Sequence, residues 1–167
     1  VYKIFSPLAK ASPPNFKNIW WIIQNALFPR RYYFDEIKKI IALESQFGFK
    51  SSFYVLNGKR GRYGARCNSK IVAQSISEIE NEWNIGMHYN YNTMLDNQAF
   101  NRQYYELECI LGFKPITGRA HYLRFDSIDS CEFLYENGLF CDETGGYPDK
   151  IGYRFGVAGP FQPYDEK

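Results

Sequence analysis

The only two histidines of the chain each follow a short run of strand-forming residues. His88 ends the segment Asn-Ile-Gly-Met-His (84–88), and His121 follows Ile-Thr-Gly-Arg-Ala (116–120). Because the carboxyl ends of parallel strands meet at one edge of a sheet, we expect both imidazoles at the edge where α/β enzymes build active sites. A neutral imidazole binds zinc and related metals, and such a metal turns bound water into a nucleophile near neutral pH.

Other polar residues follow the same predicted strands. They are Asn92 after the first histidine, Arg119 and Arg124 around the second, and Asp142 after the apolar run Leu139-Phe140-Cys141. An arginine in such a place stabilises negative charge on a carbonyl oxygen, and a carboxylate completes a metal shell. The alternative interpretation is that each of these residues only forms hydrogen bonds in a turn. Asn92 is a poor ligand for zinc.

Helical and strand-like segments alternate along the chain. Apolar stripes at helical spacing predict helices from Pro13-Pro14 to Pro29, from Asp35 to Gly48, from a cap at Ser69 to Trp83, from Phe100 to Gly112, and over 127–137. Apolar runs predict strands at 50–56, 84–88, 114–119 and 139–141. This alternation is typical of right-handed βαβ units. With fewer than eight strands, we expect an α/β fold with a parallel sheet, as an incomplete or deformed (β/α) barrel.

The composition of the chain limits its number of domains and the kinds of partner it can bind. A chain of 167 residues, 45% of them hydrophobic, supports one core, so we expect a single domain over 1–167. A net charge of +2 argues against nucleic acid as a partner, and no apolar run is long enough to span a membrane. The four cysteines, which form no C-x-x-C pair, predict reduced thiols. Without a signal-peptide pattern, we expect a cytoplasmic chain.

The loop at 57–66 is rich in glycine and basic residues. It carries Lys59, Arg60, Arg62 and Arg66, which could bind an anionic ligand or simply face solvent. Its glycines do not match a phosphate-binding loop. The glycines of a second segment, at 142–156, could let Tyr147 approach a ligand or only shape a turn.

Three segments together resemble polysaccharide deacetylases of the NodB-homology type, as a divergent branch. They are Ile-Gly-Met-His-Tyr-Asn-Tyr-Asn (85–92), Gly-Arg-Ala-His-Tyr-Leu-Arg-Phe-Asp (118–126), and Cys-Asp-Glu-Thr-Gly-Gly-Tyr-Pro-Asp (141–149) with Gly-Tyr-Arg-Phe-Gly (152–156). The resemblance runs from about Tyr33 to Asp165. It implies a deformed, incomplete barrel that removes N- or O-acetyl groups from glycans. The metal in that family is held by one aspartate and two histidines.

The resemblance also implies roles for particular residues. His88 matches the first metal histidine and Asn92 falls where the second should be, so the implied metal ligands are His88 and Asn92, with zinc as the metal. Arg119 and Tyr122 match residues that line the family's groove. The family's Asp pair would fall before Val1 and its late histidine motif beyond Lys167. We therefore expect a fragment that lacks the first and last motifs and does not catalyse deacetylation alone.

Two functions follow from these expectations. The first is a deacetylase-like hydrolase acting on an acetylated glycan through metal-activated water, with Arg119, His121 and Asp142 as catalytic residues. Its expected substrate-binding residues are Tyr89, Tyr91, Tyr122, Arg124 and Tyr147. The second is an inactive glycan-binding domain on the same scaffold, in which Tyr89, Tyr91 and Tyr122 stack on sugar rings.

Overall fold

The computed structural model describes residues 16–58, 64, 69–77, 83–125 and 128–163. Its helices are α1 (Phe16–Leu27), α2 (Pro29–Phe47), α3 (Ser69–Ser77), α4 (Asn97–Leu111) and α5 (Ile128–Glu136). Its strands are β1 (Ser52–Val55), β2 (Asn84–Tyr89), β3 (Thr117–Ala120) and β4 (Cys141–Asp142), and a single 3₁₀ turn (His121–Leu123) follows β3. Most of the basic loop at 57–66, for which the sequence left open an anionic ligand or simple exposure to solvent, lies outside the described residues, as does Ile79 of the third predicted helix.

The four described strands form one parallel sheet in the order β1-β2-β3-β4. Each strand lies beside its neighbour in sequence, and described helices follow β1, β2 and β3. The prediction of an α/β fold with a parallel sheet is therefore confirmed.

One face of the sheet packs against the helices and holds the core. Because side chains alternate along a strand, this helix face receives every second residue of each strand. Its buried strand residues are Val55, Ile85, Met87, Tyr89 and Ala120, and they pack with Ala73, Ile76, Phe100, Leu107, Leu111, Phe133, Leu134 and Leu139. The apolar stripes of α3, α4 and α5 thus meet the apolar side of the strands.

The opposite face of the sheet is polar, and we call it the polar face. By the strand register it carries Ser52, Asn84, His88, Thr117 and Arg119. The Ser52 hydroxyl donates to Glu143 Oε1 at 3.1 Å, although β1 and β4 are opposite edges of the sheet. In a flat sheet these strands would lie about 14 Å apart, farther than the two side chains reach. The sheet therefore curves with the polar face inside, which is compatible with an incomplete barrel.

The residues at helix ends explain why one predicted helix boundary is correct and another is wrong. In α4 the Asp96 side chain accepts a hydrogen bond from the Ala99 amide at 3.0 Å, and Gly112 ends the helix with φ 80°. The first helix ends at Leu27, just before Pro29, as the sequence predicts. The second helix, predicted to start near Asp35, instead starts at Pro29, because proline fits the first turn, where its missing amide needs no partner.

Several apolar side chains of α1 face outward. The sequence predicts one apolar stripe on this helix, formed by Phe16, Ile19, Trp20, Ile23 and Leu27, and the last four of these residues are exposed. Even so, none of the described helices is both long enough and apolar enough to cross a membrane. The described cysteines, Cys109, Cys131 and Cys141, are free thiols, as the sequence predicted.

Candidate functional site

The two histidines meet at the carboxyl edge of the sheet. His88 lies on β2 and pairs in register with Arg119 of β3, two residues before His121. The His88 Nε2 and His121 Nδ1 atoms are 2.9 Å apart, and the two rings meet edge to face with their centroids 4.9 Å apart. The structure therefore confirms that both imidazoles lie at one edge, and it joins them by a direct hydrogen bond.

His88 lies in an environment that keeps its ring neutral. Burial, and then the neighbouring His121, lower the pKa of His88 from 6.5 to about 4, and the Arg119 backbone offsets this only in part. Its second ring nitrogen, Nδ1, is buried and meets no hydrogen-bond partner within the described residues. Near neutral pH the His88 ring is therefore neutral and carries one lone pair, on either Nε2 or Nδ1.

A strained turn positions His121. Tyr122 and Leu123, the next two residues, both have left-handed backbone conformations with φ of 62° and 53°. Such angles cost residues other than glycine about 1–2 kcal/mol each. Two arginines hold the turn in place. Arg154 donates to the carbonyls of Leu123 and Phe125 at 2.8 and 2.7 Å, and Arg124 donates to the Tyr91 carbonyl at 2.7 Å.

A buried glutamine of α4 holds the backbone around His88. The side-chain amide of Gln103 donates to the His88 carbonyl and to Asn57 Oδ1, both at 3.2 Å. Its oxygen accepts the Asn90 amide at 3.0 Å. Sequence reasoning missed this residue. The available signal was a polar side chain at a stripe position of α4, between Phe100 and Leu107.

Aromatic side chains form one wall beside the histidines. The Tyr122 ring contacts the His121 ring with centroids 4.5 Å apart and the Tyr91 ring at 6.0 Å, both edge to face. The Arg124 guanidinium lies over the Tyr91 ring at 4.7 Å from its centroid. Tyr122 is 55% exposed and Tyr91 is half-buried, so this wall is open to a ligand. Three of the five predicted substrate-binding residues, Tyr91, Tyr122 and Arg124, thus come together.

Two predicted site residues lie elsewhere. Tyr89 is only 1% exposed and its hydroxyl donates to Asp142 Oδ2 at 2.9 Å, so its ring cannot stack on a sugar. The strand runs one residue past His88, which turns Tyr89 to the helix face. Asp142 does end β4 as predicted, but Oδ1 accepts the Thr144 amide at 2.9 Å. Its carboxylate is thus held on the helix face and does not join the histidines.

The other three predicted site residues, Arg119, Asn92 and Tyr147, lie in three different places. Arg119 is half-buried on the polar face beside His88. Asn92 is exposed in a turn in which the Thr93 amide donates to the Asn90 carbonyl at 3.0 Å. Tyr147 contacts Lys150, whose ammonium lies 4.3 Å from the ring centroid, and the described contacts do not join it to either histidine.

The histidine pair fits part of a metal shell. It brings two imidazole nitrogens, the ligand type that zinc sites use, to 2.9 Å from each other in a hydrogen bond. Among the residues that the structure describes, however, no group of three or more His, Cys, Asp or Glu side chains could hold a metal ion. The described chain thus offers two protein ligands, one fewer than catalytic zinc sites have.

Comparison with known proteins adds no relative. No protein-family model, curated protein or solved structure matches the chain. The likeness to polysaccharide deacetylases therefore rests on the three sequence segments alone.

Proposed function

We propose that the complete protein removes acetyl groups from a glycan at a hydrolytic site to which this chain contributes His88 and His121. One observation carries the proposal: the only two histidines, 33 positions apart in sequence, are in direct contact at the edge of a parallel sheet. That edge is where α/β folds place their reactive groups. The acetylated glycan as substrate comes from the sequence resemblance.

The chain's own residues supply three functions in this proposal. The neutral His88 ring offers a lone pair, and a divalent metal bound there would lower the pKa of a water molecule to near neutral. Arg119, on the same face of the sheet, stabilises negative charge on the acetyl carbonyl oxygen. Tyr91 and Tyr122 form the wall on which a sugar ring packs.

The second candidate is a glycan-binding domain without chemistry. It is favoured by the absence of a third metal-ligating side chain near the histidines within the described residues. The open tyrosine wall would then be the whole site, and Arg119 would only bind polar groups of the ligand.

Acetate release distinguishes the two candidates. The protein expressed from its complete reading frame, supplied with zinc, is incubated with N-acetylated and O-acetylated oligosaccharides, and released acetate is measured. The hydrolase proposal predicts release that falls at least about 100-fold in His88→Ala, because a general base or metal-activated water contributes that much or more. Wild-type release no greater than that of His88→Ala would contradict the hydrolase.

Glycan affinity tests the tyrosine wall separately. Tyr91→Ala and Tyr122→Ala should each weaken binding about fivefold, since an aromatic contact of this kind contributes about 1 kcal/mol. Tyr105→Ala is the matched control, because Tyr105 is 66% exposed on α4 and takes no part in the wall. If the glycan binds all three variants as tightly as the wild type, both candidate functions lose their substrate site.

A further inference from the structure

The first helix, α1, carries an apolar stripe that the described core does not cover. Ile19, Trp20, Ile23 and Leu27 recur at helical spacing and share one side of the helix, and we call them the α1 stripe. Their side chains are between 40% and 66% exposed. A surface helix normally turns such a stripe toward the core, but the described core contains no residue of α1. Another surface must therefore supply the contacts of this stripe.

Basic residues surround the α1 stripe in the sequence. The first 34 residues contain five Lys or Arg and no Asp or Glu, whereas the other 133 contain fifteen basic and eighteen acidic residues. Lys17 lies in α1, and Arg30 and Arg31 follow at the start of α2. The small net charge of the chain, +2, thus combines a basic first segment with a slightly acidic remainder. The charge around the stripe is complementary to a negatively charged surface.

We infer that α1 binds the surface of an anionic lipid bilayer, with the α1 stripe facing the acyl chains. Amphipathic helices of this kind lie parallel to the membrane, with apolar side chains at the boundary of headgroups and acyl chains and basic residues near anionic headgroups. Tryptophan, here Trp20, favours this depth because its ring is apolar and its N–H group is polar. Since α1 has 12 residues and a bilayer span needs about 20, the proposed contact is with one surface only.

The second helix shows why charge selects a lipid surface for α1 in particular. Like α1, α2 exposes apolar side chains at helical spacing, among them Ile40, Leu43 and Phe47. Over residues 35–47, however, acidic residues outnumber basic ones three to two. An anionic membrane would therefore not attract this part of α2, whereas it would attract α1 and its basic neighbours.

Co-sedimentation of the full chain with lipid vesicles tests the inference. One set of vesicles is pure phosphatidylcholine, and the other contains about 30% phosphatidylserine, which supplies the negative surface charge. Each basic residue near such a surface contributes about fivefold in affinity. We therefore expect the wild-type chain to bind the phosphatidylserine vesicles at least about tenfold more tightly than the neutral ones.

Two pairs of variants separate the apolar and the charged contributions. Leu27→Glu should weaken vesicle binding at least about tenfold, because burial of a leucine contributes that factor. Leu43→Glu, the matched control, changes a leucine that is 58% exposed on α2, and it should bind within about twofold of the wild type. Arg31→Gln should weaken binding about fivefold. Lys114→Gln, which removes the same charge from the loop before β3, should not weaken binding.

Tryptophan fluorescence reports on α1 without any change to that helix. The chain has three tryptophans, and Trp83 packs against Phe53 with ring centroids 6.2 Å apart. Trp83→Phe keeps an aromatic ring there and leaves Trp20 and Trp21 of α1 as the only tryptophans. With phosphatidylserine vesicles, their emission should move to shorter wavelength, and lipids brominated on the acyl chains should quench it.

Several results would overturn the inference. One is a wild-type chain that does not sediment with phosphatidylserine vesicles, or that binds neutral vesicles equally well. Another is Leu27→Glu binding vesicles as tightly as Leu43→Glu does. Self-association that Leu27→Glu abolishes, in a chain that binds no vesicles, would assign the α1 stripe to a second copy of the chain. These outcomes are independent of the proposed function, which the acetate assay decides.

Discussion

Replacing Gln103 with leucine tests how the fold supports the histidine edge. The change removes three buried side-chain hydrogen bonds, to Asn57, His88 and Asn90, and leaves the Asn90 amide without its acceptor. At about 1 kcal/mol for each bond, and up to about 3 for a buried group left unpaired, the loss is about 3–5 kcal/mol. Burial of the more apolar leucine side chain offsets about 1 kcal/mol of this loss. We expect a net loss of about 3 kcal/mol in the free energy of unfolding.

Urea unfolding of the full chain measures this loss, with Arg102→Leu as the control. Arg102 is exposed on the same helix, so its replacement should change stability by no more than about 0.5 kcal/mol. Because Gln103 also holds the His88 carbonyl, the ring signals of His88 should shift in Gln103→Leu and not in the control. A loss below about 1 kcal/mol, or unchanged His88 signals, would refute the reasoning.

Three further predictions concern the same edge. Because the pKa of His88 falls from 6.5 to about 4 on folding, its contribution to stability is complete above pH 6.5 and is lost as the pH falls toward 4. This loss of stability is about 2 kcal/mol after allowance for the partial exposure of His88, and it should be absent from His88→Gln. If urea unfolding shows the same dependence of stability on pH in the wild type and in His88→Gln, the prediction is wrong. Tyr122→Gly should be about 1 kcal/mol more stable than Tyr122→Ala, since φ at this position is 62°, and the reverse order would argue against strain. Arg154→Lys should lose about 1–2 kcal/mol in thermal or urea unfolding, because one ammonium cannot replace the fork that binds Leu123 and Phe125; wild-type stability would refute that role.

The elements that the sequence predicts correctly are those governed by local signals. The stripe from Phe100 to Leu111, ended by Gly112, predicts α4 because periodicity and a left-handed glycine are local properties. The strand that contains His88 is recognisable for the same reason. The meeting of the two histidines could also be predicted, since it requires only that consecutive strands be parallel neighbours.

The parts that sequence reasoning missed depend on strand register and on distant contacts. Tyr89 and Tyr91 look equivalent in sequence, but the strand ends between them, so one is buried and the other borders the site. Asp142 reaches the expected edge and is then held on the helix face by Tyr89 and Thr144. Gln103 contacts the site from a helix 15 residues after His88, and local patterns do not reveal such a contact.

Direct contact between His88 and His121 is the central claim, and NMR of the metal-free chain tests it most directly. With ¹⁵N-labelled histidine, we predict a scalar coupling across the hydrogen bond between His88 Nε2 and His121 Nδ1. His88 should stay neutral until the pH approaches about 4, the pKa that burial and its neighbour impose. Two histidines without coupling, with His88 titrating at its ordinary value of 6.5, would contradict the account.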